Sequence, residues 1–213
     1  IEPGVKIYLV TSCQADQRAV RTKRKGERAM KLHLPEGYQE NNPNIISKVK
    51  TDLEKDQPFN YFFTGNVGCG KTFLAEIIVK SHGNTVHRWE RVECRNVYKI
   101  YLRLLDSNYT DKSDAIQKHE DIVKKTYVFI DDLGDERPST DGSHDYVGCM
   151  LVERCETARR STTASSIITT NLKMQEIIDM YGSRVVDRIE ENFTIMQFKD
   201  HSFRRDKREI IKG

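Results

Sequence analysis

GNVGCGKT, residues 65–72, lies one residue beyond the apolar run YFF at 61–63 and runs straight into FLAEIIVK at 73–80. It fits the pattern Gly-x-x-x-x-Gly-Lys-Ser/Thr through Gly65, Gly70, Lys71 and Thr72. Gly65, Gly68 and Gly70 allow a turn tight enough for backbone N–H groups to face inward on phosphate oxygens, and a following helix adds its positive N-terminal end. Asn66, Val67 and Cys69 fill the loop and Phe73 opens the next element. Lys71 then supplies a mobile cation for β and γ phosphates, and the Thr72 hydroxyl a ligand for Mg²⁺. The context that the motif needs is also present: YFF reads as a short buried strand, and Phe73, Leu74, Ile77 and Ile78 recur at helical spacing. ATP with Mg²⁺ is the expected cofactor.

Two later stretches carry chemistry that belongs with a phosphate cradle. VFIDDLGDE (128–136) places Asp131 and Asp132 at the end of an apolar strand. Adjacent carboxylates there are costly unless a cation or hydrogen-bond donors offset them, as Mg²⁺ on a nucleotide does. By analogy with phosphate-loop enzymes Asp131 holds the metal, directly or through water, and Asp132 polarises the attacking water. Asn171, after IITT at 167–170, is placed to orient that water or sense the γ phosphate, although Thr-Asn after a strand is also ordinary turn chemistry.

The rest of the chain reads as strands alternating with helices. Asn42 and Pro43 look like the cap and first turn of a helix with Ile45, Ile46, Val49 and Leu53 on one face. Alternation in VHRWERVE (86–93) predicts a second strand, followed by helical spacing at Val97, Ile100, Tyr101, Leu104 and Leu105, and again at Ile116, His119, Ile122 and Val123. A helix with Val147, Leu151 and Cys155 inside separates YVFID from SIITT, and FTIMQF (193–198) predicts a last strand. The expectation is an α/β fold, a parallel five-stranded sheet flanked by helices, with ligand beyond the carboxyl ends of the strands.

Composition bounds the rest. The 213 residues, 37% hydrophobic and 31% charged, suit one domain plus an extension. The boundary is expected near Asn42: residues 1–41 as a basic N-terminal extension and linker, 42–213 as the ATPase domain. QRAVRTKRKGERAMK (17–31) holds seven Lys/Arg against one acid, and LPEGYQENNPN (34–44) has linker composition. The net charge of +3 hides basic ends on a mildly acidic middle, a pattern suited to nucleic acid or an acidic partner. No secretory signal and no membrane-spanning run is evident. The five cysteines form no CxxC pair, and the six histidines lack metal-ligand spacing. Reduced thiols and a cytoplasmic setting are expected.

With these stations in order, and YGSRVVDRIEEN (181–192) and DHSFRRDK (200–207) after them, residues 42–208 resemble the AAA+ ATPases of the DnaC/DnaI helicase-loader group and the related IstB transposition helpers. The resemblance implies that Arg188 is an arginine finger reaching the nucleotide of a neighbouring subunit, with Arg184 the second candidate, that Arg204 is a sensor contacting phosphate, and that Arg159 lies near subunit contacts. It implies an extra two-helix insertion at 95–125, self-association into a spiral or ring, binding of single-stranded DNA, a replicative DNA helicase as partner, and ATP hydrolysis as a release timer. Two departures matter. Asp132 stands where many relatives have Glu, which implies slow hydrolysis, and only nine residues follow Arg204, leaving a lid domain absent or minimal. The alternatives are an IstB-like helper on double-stranded DNA, a small-molecule kinase, and an adaptor that holds ATP without hydrolysing it.

Overall fold

Alternate residues of the strand Tyr61-Phe62-Phe63 are buried on opposite sides of a sheet, which is how the fold is built. The computed structural model describes residues 42–55, 57–81, 89–105, 109–136 and 142–199, together with Leu32, Leu34 and Tyr38. In chain order these form α1 (Pro43–Glu54), β1 (Asn60–Thr64), α2 (Lys71–Ser81), β2 (Trp89–Glu93), α3 (Cys94–Leu105), α4 (Tyr109–Lys124) and β3 (Tyr127–Leu133). They continue through α5 (Ser143–Arg160), β4 (Ser165–Thr170), α6 (Met174–Tyr181), α7 (Ser183–Asn192) and β5 (Thr194–Gln197). The sheet has the order β2-β3-β4-β1-β5, and every pairing is parallel.

Both faces are covered, as a parallel sheet requires. Tyr61, Phe63, Phe129 and Ile167 point to one face, against Ile46, Val49 and Leu53 of α1 and Leu74, Ala75 and Ile78 of α2. Phe62, Val128, Ile130 and Ile168 point to the other, against α3, α4, α5, α6 and α7. Val147, Leu151 and Cys155 of α5 lie inside, as their spacing predicts. The two α3–α4 helices fall between β2 and β3, as expected.

Some local expectations change. Asn42 precedes α1, but its side chain does not cap the helix; Asn42 Oδ1 accepts the Lys199 N–H at 3.2 Å, tying the start of the domain to the end of β5. The second strand is described over Trp89–Glu93, and residues 82–88, where its predicted start falls, lie outside the described residues. Leu105 and Ile116 fit the apolar spacing of their helices yet are 64% and 46% exposed; on α4 Ala115, rather than Ile116, faces the core. The four described cysteines Cys69, Cys94, Cys149 and Cys155 are free thiols, as expected. No described helix is long and apolar enough to cross a membrane. Most of the predicted extension, and the segment after Lys199 where a lid would follow, lie outside the described residues.

Candidate nucleotide site

β1, β3 and β4 are adjacent in the sheet, so the segments leaving their carboxyl ends meet. These carry the glycine loop, the Asp pair and Asn171 respectively. The loop turns through Gly68 (φ 86°) and Gly70 (φ 95°), backbone that a side chain disfavours. At Gly70 a Cβ would also stand 2.6 Å from the Tyr38 ring. Tyr38 is 4% exposed, donates its hydroxyl to the Gly70 carbonyl at 2.7 Å, and meets Phe73 edge to face. A residue of the predicted linker thus seats on the loop.

Lys71 is 5% exposed and folded onto its own loop. Its Nζ donates to the carbonyls of Gly65 (2.7 Å) and Asn66 (2.9 Å) and to Asn171 Oδ1 (2.8 Å). Lys71 and Asn171, a hundred residues apart, therefore share one site. Val67 and Phe73 are exposed at 59% and 41%, while Cys69 is buried with Sγ 3.6 Å from Lys71 Nζ.

Asp131, 3% exposed, is fully engaged. Its Oδ1 accepts the Thr72 hydroxyl at 2.9 Å and the Thr169 hydroxyl at 2.7 Å, and Oδ2 accepts Arg91 Nη2 at 2.8 Å. Next to it the strand breaks register: Ile130 pairs with Ile168 but Leu133 with Thr170, so Asp131 and Asp132 stand together opposite Thr169. Such a bulge re-aims side chains that would otherwise alternate between faces. Asp132 adopts φ 54°, the one described non-glycine residue with positive φ, and its N–H donates to Thr169 Oγ1 at 2.9 Å. Left-handed backbone at a non-glycine residue costs roughly 1–3 kcal/mol and clusters at functional sites. Thr169, which sequence reasoning left inside IITT, holds both aspartates through one hydroxyl.

Beyond the bulge, Glu136 is buried, accepts the Gly134 N–H at 3.0 Å and the Tyr181 hydroxyl, and so ties the loop after β3 to the end of α6. Burial pushes its carboxyl above the usual range despite the backbone donors.

The donor chemistry suits Mg²⁺, which takes oxygen ligands and shares them with phosphates: a hydroxyl, Thr72, and a carboxylate, Asp131, stand 2.9 Å apart at the mouth of the loop. The arginines are placed differently. Arg188 is on α7 and ion-pairs with Glu191 of the same helix, Arg184 is exposed on its first turn, and Arg159 pairs with Glu156 at 2.7 Å. Val185, Val186 and Ile189 bury α7 on the sheet face opposite the one that α2 covers, so Arg184 and Arg188 belong to a helix on the other side of the sheet from the one that follows the phosphate loop. Arg204 lies outside the described residues; the chain leads toward it from Phe198, whose N–H donates to the Thr64 carbonyl at 2.8 Å beside the loop.

A glycine loop, an acidic strand end and a polar strand end on one parallel sheet define a phosphate-loop nucleoside triphosphatase. The model of the ATPase family associated with various cellular activities, AAA, matches residues 61–196, and the chain belongs to that family. It is an ATPase. Its fold is similar to the crystal structure of the DnaC helicase loader, with a TM-score of 0.55 and 17% identity over 78% of this chain and 100% of that one. It is similar also to AMPPCP-bound DnaA from Aquifex aeolicus, with a TM-score of 0.58 and 17% identity over 75% of this chain and 47% of that one. Replication initiator DnaA bound to AMPPCP and single-stranded DNA gives 0.55 and 13%, again over 75% and 47%. At such identities the likeness is one of fold. The chain thus spans the whole DnaC structure and about half of either DnaA chain. No curated protein matches its sequence.

Proposed function

We propose that this ATPase is a replication factor of the helicase-loader kind, with residues 42–213 as the ATPase domain and residues 1–41 as a basic extension. It assembles through its nucleotide on single-stranded DNA and delivers a replicative helicase. The observation that carries this reading is a divided site: Lys71, Thr72, Asp131, Asp132 and Asn171 converge, while Arg188 and Arg184 stand on the far face of the sheet. A site divided in this way needs a second copy. The two-helix α3–α4 unit between β2 and β3, and the fold shared with DnaC and DnaA, support the same assignment.

In this scheme Lys71 leaves the Gly65 and Asn66 carbonyls for the β and γ phosphates, and Thr72 and Asp131 would hold Mg²⁺. The metal, when bound, neutralises phosphate charge and steadies the transferred group. Asp132 takes the proton of the attacking water, and Asn171, freed from Lys71, orients that water. Arg188 of the next copy meets the charge that develops on the transferred phosphoryl. Asp is shorter than Glu and is held here in a strained backbone, which makes turnover slow and ATP a timer. Arg204 completes the phosphate contacts from the C-terminal side.

The test is complementation. Lys71→Ala should lose nucleotide binding, and Arg188→Ala should keep it while turnover falls by roughly 10³-fold. Mixed together, the two inactive variants should recover turnover, since each supplies what the other lacks. Recovery should rise on single-stranded rather than double-stranded DNA and weaken steeply with salt. No recovery on mixing would remove the divided site, and a preference for double strands would favour a transposition-helper role.

A further inference from the structure

Asp131 is already satisfied by a cation of the chain's own. Arg91, in the middle of β2, forks between two carboxylates: Nη2 lies 2.8 Å from Asp131 Oδ2 and Nη1 2.9 Å from Glu76 Oε1 on α2. Its guanidinium carbon rests 5.2 Å from the centre of the Phe129 ring. The two partners differ in burial. The Asp131 side chain is 5% exposed, whereas Glu76 is 34% and Arg91 itself 43% exposed. Burial opposes the Arg91 charge, but the hydrogen bonds and attraction of Asp131 and Glu76 outweigh it. With Thr72 and Thr169 on Oδ1 and Arg91 on Oδ2, the carboxylate has donors on both oxygens and a positive charge at hand. Any metal that uses Asp131 must compete with that charge, because carboxylate oxygens engaged with an arginine are less available to a second cation.

We propose that Arg91 is a tethered counter-cation which holds Asp131 ready when nucleotide is absent, yields it to Mg²⁺ by turning to Glu76, and so sets the Mg²⁺ concentration at which the site loads. The inference rests on Asp131 serving the metal. Arg91 acts here as a positioning residue: half-exposed, it leaves the carboxylate without vacating a packed core, and Glu76 receives it one helix away. Lys or Gln at this position would not do the same, since the planar fork of arginine is what spans two carboxylates at once.

The experiment measures binding of a fluorescent ADP analogue across a Mg²⁺ titration at constant ionic strength, which needs no turnover. Arg91→Gln should lower the Mg²⁺ midpoint about fivefold. Glu76→Gln, which leaves Arg91 to Asp131 alone, should raise it. A midpoint unchanged or raised in Arg91→Gln overturns the inference, the latter because it would make Arg91 an aid to the metal. If Arg91→Gln does not fold, Glu76→Gln decides: a raised midpoint upholds the counter-cation, and an unchanged or lowered one removes it. A wild type whose ADP affinity ignores Mg²⁺ altogether overturns the metal site and this inference together, whereas a Mg²⁺-dependent wild type with an unresponsive Arg91→Gln overturns the inference alone.

Discussion

Arg154, fully buried on α5, points its charge at neutral acceptors, and its guanidinium is saturated. Nε donates to Ser166 Oγ at 3.0 Å, Nη1 to the Val123 carbonyl at 3.1 Å and to that of Lys125, and Nη2 to the Ser165 carbonyl at 2.9 Å. One side chain thus fastens the end of α4 and the starts of β3 and β4, whose far ends carry the Asp pair and Asn171. Burial lowers its pKa to about 10, so it stays charged at neutral pH. Arg154→Met would strand these carbonyls in a low-dielectric interior and should cost about 3 kcal/mol in urea unfolding; a loss within experimental error would show that water replaces the guanidinium. Nothing in VERCETARR distinguishes this arginine from Arg159 or Arg160, which pair on the surface with Glu156. Lys71, Thr72 and Asp131 were legible because their spacing is dictated by local backbone or strand-end chemistry. Thr169, Arg91 and Tyr38 were not, because each acts on a partner some thirty or more residues away.

Among the elements, α4 is held to the sheet partly by charge. Glu90 on β2 accepts Lys118 of α4, and Lys125, just after that helix, at 2.8 Å. Burial favours the neutral acid, but the hydrogen bonds from Lys118 and Lys125 outweigh it and hold the carboxyl below its ordinary value of 4.5. A depressed pKa stabilises the folded state above the unfolded value, and that contribution disappears as pH falls through the lower, folded value. Glu90→Gln should therefore cost about 1 kcal/mol at neutral pH, with the gap from wild type closing in the acid range below about pH 4. Chemical denaturation at a series of pH values checks it, and a gap independent of pH would show that packing, not charge, holds α4. Periodicity predicted this helix and mistook part of its inner face, since Ile116 fits the same spacing as the small residue that is buried, Ala115. The sequence also marked 181–192 as a motif without showing that α6 and α7 flank Gly182, whose φ of 88° turns the chain between them.

For the whole molecule, the proposed division of the site between Asp132 and Arg188 would make turnover a property of an assembly. Asp132→Asn should hold ATP within about twofold of wild type and lose turnover by at least about a hundredfold, because general-base help in the transition state goes while binding contacts stay. Loaded with ATP, it should remain assembled in sedimentation for as long as ATP lasts, whereas wild type should fall apart as its ATP is spent. Prompt disassembly of the variant would separate the clock from hydrolysis. The parallel five-stranded sheet and the glycine loop were both legible from strands, helices and one motif. The opposite placement of α2 and α7 was not, since it depends on which side of the sheet each crossover packs.

The bond between Asn42 and Lys199, with Phe198 on Thr64 beside it, also has a mechanical meaning. It fastens the start of α1 to the end of β5 at one corner of the sheet, next to Gly65. A pull on the chain beyond Lys199 would load that corner first and peel β5 from β1 like a zipper, starting at the Phe198–Thr64 bond beside the phosphate loop. A partner that tugs there would therefore loosen the grip on nucleotide before it opened the rest of the sheet.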